Sequence, residues 1–279
     1  MTAITRRLMW VTLAAGMFVQ SLFAFTGGGT VPLTIASVAL LAATGVLHAW
    51  ATRGLKFASV LLAAAAIGFF AEVVGVATSF PFGQYIYTPS LGFSLFEVPL
   101  IVPLAWVTIA YPAVIIARRL VGTTPGMLRR VARVAVAAWA LTAWDVFLDP
   151  QMVDSGHWGW KHPDPGIPGV DGIPLTNFLG WYLVSLIICG LIDAVAARSR
   201  EVDGAPGDAV PFTVYLWTYA TCVVGNLTFF ERPSVALVGG LIMGAVAVPL
   251  VVVLLRDWRA RRASGPFVGA DARSEESSR

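Results

Sequence analysis

The chain has 279 residues, 57% of them hydrophobic and only 13% charged, with a net charge of +3 and a mean hydropathy of +0.75. A soluble domain carries about 25% charged residues, so this composition excludes a soluble fold and fits a chain whose solvent is mostly lipid. The positive charge does not indicate a nucleic-acid partner, because the basic residues form no stripe and sit at the ends of apolar runs, where membrane topology places them.

A bilayer core of about 30 Å needs about 20 apolar residues per helix. Eight runs qualify: 8–25, 31–51, 57–79, 97–117, 131–149, 174–195, 211–230 and 235–255. The expected fold is all-α, a polytopic bundle of about eight transmembrane helices forming one domain over residues 1–262. The first run follows Arg6 and Arg7 and is read as a helix, not a signal peptide, because it is long and no small-x-small cleavage site follows. With the N-terminus in the cytoplasm and the spans alternating, 17 of the 19 basic residues fall inside, and only Lys161 and Arg232 outside. Both termini are therefore expected to be cytoplasmic. Arginine outnumbers lysine 17 to 2, which fits a high-GC bacterium and its plasma membrane. Segment 199–209 reads as a polar loop and 263–279 as a disordered cytoplasmic tail.

The external loops 80–96 and 150–173 are rich in Gly, Pro, Tyr and Trp, as headgroup-level segments are. They belong to a duplicated unit, expected over about 57–117 and 131–195. A shift of 73 places Glu72 on Asp145, Gly83 on Gly156, Tyr85 on Trp158 and Tyr87 on Trp160. A shift of 75 then places Val98-Pro99-Leu100 on Ile173-Pro174-Leu175 and Trp106 on Trp181. Both units run in the same direction, so the repeat is parallel, and two helix pairs are expected to face each other about an axis along the membrane normal.

Acidic side chains within apolar helices need a reason, since each costs about 2.5–3.5 kcal/mol on insertion scales. Glu72, Asp145, Asp149, Glu97, Asn177 and Asn226 all fall at similar depth near the external face. Asp145 and Asp149 are four residues apart, on one helix face, and Pro150 is expected to end that helix. Glu72 and Asp145 are deeper and related by the repeat, which makes them the first functional candidates. Asp149 stands open between a headgroup cap and a third acid. Glu97 reads as a charge in the first turn of the fourth helix. Asn177 is open between a cap or interhelical bond and a substrate contact. His48 reads as interfacial, His157 and His162 as exposed loop residues, and Gly240-x-x-x-Gly244 as a helix-packing signal. Cys189 and Cys222 both fall in apolar runs, where neither a disulfide nor a metal site is expected.

A carboxylic acid in an apolar site resists ionisation and can serve as a general acid. Aromatic faces stabilise a cation by about 0.5–2 kcal/mol per contact. The sequence carries no phosphate loop, HExxH or Ser/His/Asp pattern. The pattern suits proton-initiated chemistry on an alkene with no cofactor and no metal. Glu72, Asp145 and Asp149 are the catalytic candidates, and Tyr85, Tyr87, Trp158, Trp160, Asn177, Trp181 and Asn226 the substrate-binding ones.

Five stretches, EVVGVATSFPFGQYIY (72–87), VPLIVPLAW (98–106), WDVFLDPQM (144–152), GHWGW (156–160) and GIPLTNFLGW (172–181), together resemble the carotenoid biosynthesis membrane protein family, which includes C50 carotenoid hydratases and carotenoid 1,2-hydratases. The resemblance implies a cofactor-independent hydratase that adds water across the terminal double bond of a linear C40 or C50 carotenoid, giving a tertiary alcohol. It also implies a lipid-soluble carotenoid and membrane lipid as partners, with other carotenoid enzymes as further candidates. The repeat is distantly similar to heterodimer-type lycopene cyclases, whose Pro-Leu-Glu-Glu motif is here Pro174-Leu175-Thr176-Asn177 and Pro99-Leu100-Ile101-Val102. Loss of both acids at that point disfavours cyclisation. A proton-coupled transporter is the rival from another class, disfavoured because the acids gather near one face and not at the midplane. A non-catalytic scaffold for carotenoid enzymes is the third reading.

Overall fold

The computed structural model of the protein describes residues 3–26, 30–202 and 207–263. Among these, eight α-helices follow in order: α1 (Ala3–Phe25), α2 (Val31–Arg53), α3 (Leu55–Thr78), α4 (Ile101–Val121), α5 (Met127–Asp154), α6 (Leu175–Ala196), α7 (Ala209–Thr228) and α8 (Pro233–Ala263). Six of them, α2 to α6 and α8, are long and apolar enough to cross a membrane. α1 and α7 are of similar length, with 23 and 20 residues, and Arg6 and Arg7 of α1 lie in its first turns. The protein is a multi-pass, all-α membrane protein. Leu62, Phe70, Leu128, Leu179, Leu237 and Leu241 stand on its outside, the inverse of a soluble fold and the expected surface where the surroundings are lipid. The tail expected over 263–279 lies outside the described residues except for Ala263, which belongs to α8.

α4 is the central helix, packed against α2, α3, α5, α6, α7 and α8. Its run from Trp106 to Ala117 is buried throughout. Trp106, Tyr111 and, from α7, Tyr215 are among the largest fully buried side chains. Gly240 and Gly244 of α8 do pack a helix: a methyl group on either would meet Val223 or Tyr219 of α7, and the Tyr219 hydroxyl donates to the Gly240 carbonyl at 3.1 Å. At one end of the bundle Asp193 of α6 is buried between two cations. It accepts from Arg118 of α4 at 2.7 Å and from Arg133 of α5 at 3.1 and 3.2 Å. Both arginines are among the 17 basic residues on the inside in the topology expected from the sequence, and Arg133 is buried.

The opposite end carries short strands: β1 (Tyr85–Tyr87), β2 (Ser94–Leu95), β3 (Val98–Pro99), β4 (Trp158–Trp160), β5 (Gly166–Ile167) and β6 (Val170–Pro174). β2–β3 and β5–β6 are hairpins, and β1 pairs with β4 across the two long loops. Two expectations are corrected here. Glu97 does not open a helix, since α4 begins at Ile101. It lies with Phe96 in the two-residue turn of the β2–β3 hairpin, both at positive φ (65° and 49°), as the favoured hairpin turns require. Pro150 does not end α5, which continues through it to Asp154. The extra turn is held because the following loop folds back onto its last carbonyls: Ser155, Gly156 and His157 donate to Gln151, Val153 and Met152.

Candidate active site

The β1–β4 ladder sets Tyr85 opposite Trp160, Ile86 opposite Gly159 and Tyr87 opposite Trp158. Antiparallel pairing centred on Ile86 and Gly159 maps each strand onto the other by the 73-residue shift. The ladder folds the aromatic rings inward, with Tyr85 and Trp160 centred 5.7 Å apart and Tyr87 and Trp158 5.6 Å apart. Beneath them Trp106 of α4 stacks on Trp181 of α6 at 3.9 Å and 10°, again a pair related by the repeat.

Glu72 of α3 is buried and fully supplied with donors. Its Oε2 accepts from the Tyr85 hydroxyl at 2.6 Å and the Tyr87 hydroxyl at 2.9 Å, and its Oε1 accepts from the Trp106 indole at 3.2 Å. Burial, with the Glu72 charge as the second cause, holds both phenols well above the usual tyrosine range, so they remain donors. Gly75, one turn on, makes this approach possible: a Cβ there would lie 2.6 Å from Phe82 and 2.8 Å from the Tyr85 hydroxyl. Gly180 of α6 opens the other side of the same Phe82 ring, which a Cβ would meet at 2.8 Å.

Asp145 and Asp149 are also buried, at 0% and 2% exposure, so Asp149 is no headgroup cap. Asn177 caps nothing; its side-chain NH2 donates to Asp145 Oδ2 at 2.9 Å and to Asp149 Oδ2 at 2.5 Å. Asp149 Oδ1 accepts from the Trp158 indole at 3.0 Å, whereas Asp145 Oδ1 is buried with no hydrogen-bond partner. Three donors thus serve Glu72 alone, while three also serve the aspartate pair together.

These groups face a chamber of about 50 Å³ lined by Glu72, Tyr85, Tyr87, Asp149, Trp158, Trp160, Asn177 and Trp181, with Thr34, Val38, Leu91, Ile101, Val102, Ala105, Trp144, Leu148 and Met152. Of the ten residues read from the sequence, eight line it. Asp145 lies directly behind, reached through Asn177. Asn226 lies apart, in an adjoining cavity of about 380 Å³ bounded by α1, α2, α4, α5 and α7. Thr34, Val38, Trp144, Leu148 and Met152 line both, so the two spaces adjoin at these residues. Trp106 and Trp144 went unread as site residues, although the match of Trp106 to Trp181 in the repeat was a usable signal.

Two of the three histidines are corrected, while His162 is exposed in a loop as expected. His48 is fully buried, bonded to the Tyr111 hydroxyl at 2.7 Å and the Gly207 carbonyl at 3.2 Å. His157 is not an exposed loop residue: the ladder buries it to 5% exposure against the Ser90 hydroxyl, 2.7 Å from Nδ1. Burial lowers its pKa below the usual 6.5.

The sequence model of the family described as "Carotenoid biosynthesis protein" matches residues 29–255, a span that includes the whole chamber. The chain belongs to the carotenoid biosynthesis protein family. Bisanhydrobacterioruberin hydratase of Haloarcula japonica is 29% identical to this family member over 158 residues, 52% of this chain and 50% of the relative. The chain thus spans about half the length of the curated relative it matches. No solved structure matches it. For a carotenoid biosynthesis protein the chamber has a plain chemical meaning. It sets acids and π faces beside an apolar cavity, which fits a lipid-soluble substrate.

Proposed function

We propose that the chain is a cofactor-independent hydratase that adds water to the terminal double bond of a linear carotenoid. The observation that carries this reading is the gathering of three buried carboxyl groups, in two different donor environments, at one aromatic chamber that Glu72 and Asp149 line and that adjoins an apolar cavity. The polyene lies in the larger cavity, its far part in the lipid, and its acyclic tip reaches past the residues shared by the two spaces into the small chamber.

Two carboxyl environments give two roles. Glu72, with both oxygens served by three donors, keeps its negative charge and stabilises a cation. The aspartate pair has too few donors for two charges, and an unpartnered buried oxygen on Asp145; one proton held between them satisfies it. Asp149 lines the chamber and Asp145 does not, so Asp149 delivers the proton and Asp145 positions and recharges it. The proton adds to the less substituted alkene carbon. The tertiary cation forms against Tyr85, Tyr87, Trp158 and Trp160. A water oxygen attacks it, and the proton released from that water returns to the aspartate pair, so the cycle consumes one water and nothing else.

The remaining assignments follow from the same reading. Both termini are cytoplasmic, the membrane is the plasma membrane, and residues 1–262 act as one domain in which units 57–117 and 131–195 enclose the chamber. Neighbouring carotenoid enzymes supply the substrate. The test is expression in a host that accumulates linear carotenoids, with mass analysis of the pigments. The wild type adds the mass of one water per modified end, and Asp149→Asn adds none. Full hydration by that variant, or no mass change with the wild type, would sink the assignment.

A further inference from the structure

We propose that the ends of α4, α5 and α8 beside Asp193 form a binding site for the headgroup of an anionic glycerophospholipid. The proposal stands apart from the hydratase reading and concerns the end of the bundle opposite the aromatic chamber. Nine arginines meet there, two in the last turn of α4, three in the first turns of α5 and four in the last turns of α8. Contacts draw the three ends together. Arg119 of α4 pairs with Asp257 of α8, and Arg129 of α5 donates to the Val121 carbonyl of α4 at 3.2 Å. The acids paired with these arginines are Asp193 and Asp257. Among the described residues, Arg129, Arg130, Arg256, Arg259 and Arg261 are exposed and join no ion pair.

Membrane topology needs such charges only on one side of the bilayer, not in contact with one another. Gathered like charges repel unless an anion lies among them. Depth and neighbours say which anion. The apolar run of α8 from Pro233 to Leu255, at about 1.5 Å per residue, fills a bilayer core of about 30 Å. The arginines beyond it therefore stand at the headgroup level. Arg261 lies one turn past Asp257, on the helix face that meets Arg119. Exposed apolar side chains border the cluster, Met127 and Leu128 of α5 and Leu255 and Trp258 of α8, and the Arg262 guanidinium lies 3.9 Å from the centre of the Trp258 ring. A phospholipid matches both features, with its phosphate on the arginines and its acyl chain along the apolar side chains. A free phosphate ion uses the first alone. Basic clusters between transmembrane helices are places where acidic headgroups bind.

The test titrates the full-length protein in nonionic detergent micelles with tail-labelled phosphatidylglycerol and phosphatidylcholine, and reads binding by energy transfer from tryptophan to the label. The wild type should bind phosphatidylglycerol about fivefold more tightly, the effect of roughly one arginine at a charged surface. The preference should fall toward one in about 0.5 M salt, and should survive inorganic phosphate added at matched ionic strength. Arg130→Gln/Arg256→Gln/Arg259→Gln/Arg261→Gln should remove it. Arg6→Gln/Arg7→Gln/Arg198→Gln/Arg200→Gln, which takes the same charge from α1 and the segment after α6, should keep it. The double variant Arg256→Gln/Arg261→Gln, at the exposed end of α8, should lose part of it and stands in where the fourfold change prevents folding. Equal wild-type affinity for the two lipids would overturn the proposal, as would a preference that salt leaves untouched. Equal losses from the two fourfold variants would assign the preference to diffuse charge and not to this site. Displacement by inorganic phosphate would make it a site for free anions, again against the proposal. None of these outcomes bears on the hydratase reading.

Discussion

Asn177→Leu removes the single nitrogen that holds Asp145 and Asp149 together. Leucine keeps the number and branching of the side-chain heavy atoms, so the change is chiefly the loss of two hydrogen bonds, at 2.9 and 2.5 Å. Asp149 keeps the Trp158 indole. Asp145 keeps only the proton that the aspartate pair shares, because its other oxygen has no further partner. Bonds to charged groups contribute about 1.5–3 kcal/mol each, and hydrogen bonds within membrane proteins run lower, averaging about 0.6 kcal/mol. The expected loss is therefore about 2–3 kcal/mol of stability, most of it owed to Asp145, which loses its one donor from outside the pair. A double-mutant cycle isolates that part. Asp145→Asn replaces the acid by an amide with its own donors, so adding Asn177→Leu to it should cost at least about 1 kcal/mol less than Asn177→Leu alone. The assay is equilibrium unfolding of the purified protein in mixed detergent. Costs that add to within about 0.5 kcal/mol would refute the idea that Asn177 exists to satisfy the aspartate pair.

Tyr87→Phe removes one of three donors to Glu72 and should lower the hydration rate about tenfold, with Tyr85→Phe/Tyr87→Phe lower still; rates in vesicles check this, and an unchanged double variant would remove Glu72 from the mechanism. Gly75→Ala pushes on Phe82 and the Tyr85 hydroxyl, 2.6 and 2.8 Å from the new methyl group. It should cost about 1–3 kcal/mol of stability and reduce turnover as Tyr85 moves off Glu72, whereas Gly159→Ala, which meets nothing within 4 Å, should do neither. His157 supplies a pH dependence. Its folded pKa lies below 6.5 because of burial, so the unfolded chain binds more protons in the window between the two values. Stability should fall as pH drops below about 6.5, and His157→Gln should flatten that slope in unfolding curves recorded at a series of pH values.

The helices were legible because lipid imposes one rule on every span, a long apolar run, and the runs ending near Phe25, Thr78 and Ala196 agree with the structure to within a residue or two. What the sequence concealed were places where tertiary contacts override a local signal. Pro150 reads as a stop, yet the loop behind it holds one more turn. Phe96-Glu97 carries none of the Asn-Gly chemistry that marks a tight hairpin turn, so Glu97 passed for a helix start. His157 looked like a loop histidine because nothing local says that β1 and β4 will close over it. Arg118 and Arg133 obeyed the positive-inside count and so hid the buried ion cluster they form with Asp193. In the site, the repeat drew attention to Glu72, Asp145 and the aromatic loops, but the direction in which Asn177 and Trp106 point is a property of helix packing, and no spacing in the chain reports it.

Hydration in isotopically labelled water tests the central claim most directly. With the protein in vesicles, a linear carotenoid and water carrying both deuterium and heavy oxygen, each modified end should gain one heavy oxygen in its hydroxyl group. It should also gain one non-exchanging deuterium on the neighbouring carbon. Product that carries the hydroxyl without the carbon-bound deuterium, or a polyene recovered with neither label, would contradict proton delivery from the buried acids.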